Sequence, residues 1–505
     1  MTDSTSSSSE VLVIGAGPSG LFAAVELARQ GVAVRLIDQA PQPHHQARAT
    51  SIQPGTLEIL NAIGLLPPFL EASQQVHGVC ICGPDLTLLR AQLFAGIDCC
   101  CDFACSLPQY ETERILEAQL IAWGGAVERG TTATQMTPTA EGMMVELALP
   151  SGRTETATAG VVIDAGGAHG LSHRSSQDAL EGETYAGQFI VADIAAPLEL
   201  PRDRTHIICS SLGPLLLAPL PRERWLTFLQ WEQPLSGPVD GDMVAEGVEI
   251  RLNGKHRPSD VAWASSFHGH RRITRRFCEG PRYLVGDAAH LSSPFGGEGL
   301  NAGMHDAFNL AWKLALTRRG RARESLLDSY AVERQIADRH VLQTSDDVHH
   351  TVFAFADAVR QGKTPPAEVV NPVEAALLLN ARVMIDIDYQ GSPLVVDLAA
   401  GEALAAMPRP GQRYPEWWKL GAATHHLLVF GPVAAAEALA EVERRWSNLV
   451  RVGCRTQNEG VRAGVPGGGL VVVRPDGHIG LRATATDAGA LGAVDRHLAS
   501  YLIPE

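Results

Sequence analysis

A chain of 505 residues with 45% hydrophobic content has room for roughly two or three domains and a large core. Its formal charge of −15 disfavours nucleic acid as a partner, because like charges repel. It contains no uninterrupted apolar run of about 18 residues, so no membrane partner is expected.

Residues 1–9 are rich in serine and threonine and lack the basic and apolar parts of a secretory signal. They are expected to form a disordered tail. The nine cysteines are an odd, uneven set, which fits a reducing cytoplasm. Cys99, Cys100, Cys101 and Cys105 cluster, with Cys80 and Cys82 upstream, but no pair has C-x-x-C spacing. They read as small core residues, and no metal is expected.

Val11–Ile14 is a buried apolar strand. Leu21, Phe22, Val25 and Ala28 form the face of a helix that Gly31 closes, and Val32–Ile37 is a second strand ending at Asp38. Thr56–Leu60 and Leu65–Ala72 predict short helices, and Glu111–Trp123 predicts a longer one. Met143–Leu149 and Thr154–Ala159 flank Pro150-Ser151-Gly152 as a hairpin, followed by a strand at Val161–Asp164. From 176 to 266, strands separated by Pro/Gly breaks predict a mostly antiparallel sheet. Tyr283–Val285 is a strand that runs into Gly286-Asp287 and a glycine-rich loop. Residues 301–318 and 324–360 are helical. Proline-containing stretches at 364–372 and 407–415 mark linkers. Beyond them the pattern gives strand, helix, strand, a hairpin about Pro475-Asp476-Gly477, and a closing helix over Asp487–Leu502.

Gly15-Ala16-Gly17-Pro18-Ser19-Gly20 links a strand to a helix. Gly15 permits the tight turn, Gly17 lets the backbone approach a pyrophosphate, and Gly20 allows close helix–strand packing. The helix start offers N–H groups and positive dipole to phosphates, and Asp38 is placed to accept from a ribose hydroxyl. The motif fits either NAD or FAD. In the loop after Asp287, the helix starting near Leu300-Asn301 could meet the N1–C2=O edge of a flavin, whose reduced form is negative there.

Together GAGPSG at 15–20, RAT at 48–50, LPQYETERIL at 107–116 and GDAAHLSSPFGGEGLNAGMHDAFNLAWKL at 286–314 resemble the flavoprotein aromatic hydroxylases of the para-hydroxybenzoate hydroxylase fold. VVRPDGHIGLRA at 472–483 resembles the thioredoxin-like C-terminal domain of the phenol and polyketide hydroxylase branch. The resemblance implies an α/β fold in three parts. A Rossmann-like FAD domain would comprise 10–75, 100–175 and 267–375, and an inserted antiparallel substrate sheet 76–99 and 176–266. A thioredoxin-like domain would comprise 395–505; with Cys454 as its only cysteine it reads as structural.

The resemblance also implies site roles. Gly15, Gly17, Pro18, Ser19, Gly20, Asp38 and Arg48 would hold the nucleotide half of FAD, and Gln109 and Asp287 the ribityl chain. Pro294 would lie beside the ring, and Gly297, Gly299, Leu300 and Asn301 would form the flavin-edge loop. No catalytic base is assigned. Arg114 is read either as part of that region or as a surface charge. NAD(P)H would reduce FAD, and reduced flavin with O2 would form a C4a-hydroperoxide that hydroxylates a phenolic or polyketide-like aromatic. The resemblance admits a homodimer.

Two departures stand out. The family's Asp-Gly pair is replaced in Asp164-Ala165-Gly166-Gly167, where Gly166 takes the Asp position. That opens an alternative: an FAD oxidoreductase of dehydrogenase or oxidase type that does not hydroxylate or uses NAD(P)H poorly. Glu298 stands where an uncharged residue is usual, and near the pyrimidine edge its charge would oppose reduced flavin. Arg271, Arg272, Arg275 and Arg276 read as a solvated face, with nicotinamide phosphate attraction as the alternative.

Overall fold

The computed structural model describes residues 5–44, 49–174, 180–232, 235, 237–363, 383–399 and 408–504. The α-helices used below are α1 (Pro18–Arg29), α2 (Pro54–Ala62), α3 (Gln109–Ala122), α4 (Gly241–Arg251), α5 (Gly299–Arg318), α6 (Asp328–Arg360), α7 (Ala436–Arg445) and α8 (Ala488–Tyr501).

The first sheet follows from near-continuous apolar runs that can be buried on both faces. Its central strands Thr5–Ile14, Val34–Asp38 and Thr154–Asp164 are parallel, with Arg282–Leu284 and Val127–Arg129 added outside them. Val11, Leu12 and Val13 are fully buried. α1 packs on this sheet through Leu21, Phe22 and Val25, which are also fully buried. It ends at Gly31, whose φ of +70° lets its N–H reach the Ala28 carbonyl at 2.8 Å.

The expected tail is shorter than its composition indicates. Thr5–Ser9 extends the first strand and pairs in register with Glu155–Ala159, and residues 1–4 lie outside the described residues. Backbone pairing does not require apolar side chains, and Arg35 reinforces it. Its guanidinium bonds Ser7 Oγ at 2.7 Å, Glu155 at 2.6 Å and Glu128 at 2.7 Å.

The second sheet has seven strands in the order Asp260–Phe267, Gln188–Ala195, Arg224–Trp231, Gly213–Leu220, Thr205–Ser210, Gly78–Cys82 and Leu88–Leu93. All neighbours are antiparallel except Thr205–Ser210 with Gly78–Cys82, where an earlier part of the chain joins the sheet. One face packs on α4 through Ile190, Leu215, Trp225 and Val248. The other carries Phe189, Val191 and Phe228 towards Phe295 and the end of α6.

The last part is a five-stranded mixed sheet containing His425–Phe430, Val450–Arg455, Gly469–Val473 and Ile479–Ala483, flanked by α7 and α8. It docks on α5, with Trp312 joining the core of Leu427, Leu470 and Leu481. The stretch expected as a linker at 364–372 lies outside the described residues. Residues 408–415 form an ordered strap in which Arg413 bonds both oxygens of Glu58 on α2, at 2.8 and 3.0 Å. Among the described residues no helix is long and apolar enough to cross a membrane.

Candidate cofactor and active site

The glycine turn at 15–20 is dictated by contact. Gly15 has φ +99°, and a Cβ there would lie 2.5 Å from the Ala165 carbonyl oxygen. A Cβ on Gly20 would lie 1.9 Å from the Gly15 oxygen. A Cβ on Gly17 would meet nothing within 4 Å, so this glycine borders open space. Gly17 caps α1 without a side-chain hydrogen bond, and Pro18 takes the first helical position. The first-turn N–H groups of α1 are therefore left for an anion at the Gly17 opening. Asp38 accepts from Ala16 N at 2.6 Å and Ala40 N at 2.7 Å. Its carboxylate ties the strand end to the turn and keeps capacity for a hydroxyl donor.

The distal half meets this turn directly. Ser19 Oγ fills the crevice between Gly286 and Gly303, where a Cβ would lie 2.4 and 2.1 Å from it. The Ser19 side chain is thus a packing element, and the glycines exist to admit it. Asp287, which follows Gly286, is exposed. Pro294 begins a turn closed by Gly297 N to the Pro294 carbonyl at 3.3 Å, with Gly297 at φ +66°. Gly299 opens α5, which also has no side-chain cap. Leu300 packs against the core that contains α1.

Asn301 is fully buried and its side chain is committed. Nδ2 donates to the carbonyls of Ser51 at 2.8 Å and Gly297 at 3.0 Å, and Oδ1 accepts from Gln53 N at 2.8 Å. It fastens the turn to the strand Ser51–Ile52, so of this residue only the backbone stays uncommitted. Gln53 Oε1 is buried beside it without a hydrogen-bond partner among the described residues. That orphan acceptor, the Gly17 opening and two uncapped helix starts fit a group with phosphates and a polar heterocycle.

The remaining expected residues fare differently. Arg48 lies outside the described residues. Gln109 is turned onto its own helix, donating to Glu113 at 2.9 Å. Glu113 was not anticipated. Burial raises its carboxyl to about 7, against the hydrogen bond from Gln109 and the charge of Arg129, with Asp38 raising it further. In sequence it is an ordinary helical Gln–Glu pair. Arg114 is exposed and paired with Glu111 at 2.8 Å, which makes it a surface charge. Glu298 is fully buried, and its Oε2 faces Gly296 and the Ser345 side of α6. Asp164 is fully buried, accepting from Gly166 N at 2.8 Å and from Ser172 Oγ, so it pins its own turn. A Cβ on Gly166 would lie 2.9 Å from Asp164 Oδ1, so an added aspartate there would collide with this carboxylate.

The Gly-Asp loop rests on a buried ionic network. Asp306 Oδ2 accepts from Gly286 N at 2.9 Å and pairs with His290 Nε2 at 2.8 Å. Arg334 reaches Asp306 at 2.6 Å and Asp338 at 2.7 Å. Burial works against the His290 charge, but Asp338 and Asp306 outweigh it and raise the imidazole to about 9. His290, Asp306 and Asp338 have metal-ligand types, yet Arg334 already supplies the cation.

The basic run is neutralised locally. Arg271 faces Glu183 and Asp346, Arg275 pairs with Glu181, and Arg276 pairs with Glu279 at 2.9 Å. Arg272 donates to Thr184 Oγ1 at 2.8 Å. Arg275 and Arg276 are exposed, whereas Arg271 and Arg272 are half-buried.

Comparison with known proteins gives the same cofactor. The family described as "FAD binding domain" matches residues 8–345. The 6-methylpretetramide 4-monooxygenase of Streptomyces rimosus is 29% identical, over 98% of this chain and 94% of that protein. A Bacillus subtilis protein described as an uncharacterized aromatic compound monooxygenase is 30% identical, over 67% of each chain. A crystal structure of aklavinone-11 hydroxylase with FAD and aklavinone superimposes with a TM-score of 0.80, at 24% identity and 99% coverage of both chains.

Proposed function

This chain belongs to the FAD binding domain family, and on that premise we propose that it is an NAD(P)H-dependent monooxygenase that hydroxylates a phenolic or polyketide-like aromatic. The observation that supports the reading is the junction at which Ser19, in the first turn of α1, packs against Gly303 of α5, with Phe295 of the preceding loop set against the apolar face of the seven-stranded sheet. When bound, FAD supplies the electron transfer and dioxygen activation. The chain supplies binding, orientation and exclusion of water.

Gly15, Gly17, Pro18 and Gly20 with the α1 N-terminus would hold the pyrophosphate, helped by Arg48, and Ser19 would keep the two halves in register. Asp38 would take a ribose hydroxyl, and Gln109 and Asp287 the ribityl chain. Pro294 would flank the ring, while Gly297, Gly299, Leu300 and the Asn301 backbone would meet the pyrimidine edge. The aromatic substrate would lie between the ring and the sheet face bearing Phe189, Phe228 and Phe267. The names of the relatives support a polycyclic substrate: one acts on 6-methylpretetramide and another is seen with aklavinone. A thioredoxin-like reading of 395–505 is supported by the hairpin at 470–483 and the flanking helices. Nine unpaired cysteines support a cytoplasmic location.

Gly166 favours the second reading, an FAD oxidoreductase that does not hydroxylate. Stopped-flow reduction by NADH and NADPH, with and without candidate phenols and naphthoquinols, separates the two. Bleaching of the flavin band that accelerates with an aromatic ligand is expected. No bleaching with either nicotinamide sinks the monooxygenase reading.

A further inference from the structure

His349 lies on α6 where the Pro294 turn, α6 and the substrate sheet meet, and it is 6% exposed. Its Nδ1 lies 3.0 Å from Ser293 Oγ, and that oxygen accepts from Phe295 N at 3.4 Å. Ser293 and Phe295 bracket Pro294, and both are 1% exposed. The His349 ring is the middle layer of a three-ring stack. Tyr185 lies on one side at 3.9 Å and Phe353 on the other at 4.4 Å, each tilted by 15°. Phe295 and Phe189 meet it edge-on at 5.7 and 6.3 Å.

Tyr185 leads into the sheet strand Gln188–Ala195, and its hydroxyl donates to Asp346 at 2.7 Å, three residues before His349 on α6. One imidazole therefore touches the cofactor loop, the long helix and the substrate sheet. Burial lowers its pKa to about 4, with His350 acting in the same sense and Asp346 against it. It is neutral at ordinary working pH and can stack without the cost of burying a charge. Plain packing would be met by phenylalanine; the bond to Ser293 is what packing alone does not require.

We propose that His349 is a positioning residue for the oxygen transfer, holding the Ser293–Phe295 turn against the flavin ring and linking that turn to the substrate sheet through Tyr185. This rests on the monooxygenase reading above. In coupled turnover one oxygen atom of O2 enters the ring and the other leaves as water, with two electrons from the nicotinamide. When the turn is loose, the same two electrons and two protons reduce O2 to hydrogen peroxide and the aromatic is returned unchanged.

The test uses full-length holoenzyme with His349→Phe, which keeps a ring in the stack, and Ser293→Ala, which removes the other partner. Each is expected to raise the FAD dissociation constant several-fold and shift the visible flavin band, while the melting temperature stays near that of the parent. The double variant is expected to be no worse than the more affected single one. In turnover, product per nicotinamide oxidised falls several-fold and peroxide makes up the difference, with the rate of flavin reduction kept. Unchanged FAD affinity, spectrum and coupling in His349→Phe, or fully additive losses in the double variant, would overturn the assignment. If the parent enzyme hydroxylates no aromatic, the functional reading fails instead, and FAD affinity and spectrum still decide the role of His349.

Discussion

The two halves of the proposed cofactor cradle are held in place by different means. The turn at Gly15–Gly20 is shaped by backbone contacts so close that only hydrogen fits at Gly15 and Gly20. The turn at Gly286–Asn301 is shaped by groups from elsewhere: the side chains of Asp306, Arg334 and Asp338 beneath Gly286, and the Ser51 carbonyl and Gln53 N–H, which the Asn301 side chain bonds. The first half is steric, set by backbone within the motif and at Ala165; the second is polar, buried and assembled from several side chains. Local steric shape survives small changes around it, whereas a buried charge network fails when one member is removed.

The sharpest way to break the contrast is Arg334→Leu. It leaves Asp306, Asp338 and His290 buried around a missing cation, and a loss of about 3–5 kcal/mol in unfolding free energy is expected. Denaturant titration checks it, with loss of bound FAD at native pH as the companion signal. Gly20→Ala attacks the other half. A methyl 1.9 Å from the Gly15 oxygen forces the turn apart, and a cost of about 3 kcal/mol is expected. Flavin content after purification should collapse in this variant even where circular dichroism reports folded protein.

Asn301→Leu tests the staple alone. It strands the Gln53 N–H and two carbonyls, for an expected loss of about 2 kcal/mol. The FAD off-rate should rise more than its on-rate falls, since the turn opens but the glycine site persists.

The smallest effect is a pH dependence at Glu113. Burial raises its folded pKa to about 7 from an ordinary 4.5, so its contribution is fully present below 4.5 and is lost as pH rises through 7. Glu113→Gln should therefore match the parent in acid and become the more stable of the two by pH 8. Thermal melts across that range provide the check.

The same contrast explains what the sequence conveys. The turn at 15–20 is legible because each requirement falls on a glycine within one short motif, whereas its contact with Ala165 appears only in the fold. Asn301 is legible as belonging to the site but not in its role, since Ser51 and Gln53 lie about 250 residues away in the chain. The His290–Asp306–Arg334–Asp338 network and the His349–Ser293 pair carry no local signal, because each partner looks like an ordinary helical charge or a lone histidine. The strand Thr5–Ser9 is hidden for a different reason: its serines suggest disorder, while Glu155 and Arg35 that make it pair lie far off in sequence. Gly166 is visible in sequence as a departure, but only the fold reveals that Asp164 already occupies the space an aspartate side chain would need.

The central claim is that this cradle serves oxygen transfer to an aromatic ring. Turnover of a naphthoquinol or polycyclic phenol with NAD(P)H under heavy-oxygen-labelled dioxygen tests it most directly. The account predicts a product carrying one labelled oxygen atom per nicotinamide oxidised. A product that has only lost hydrogen, with all the labelled oxygen recovered as peroxide, would contradict it.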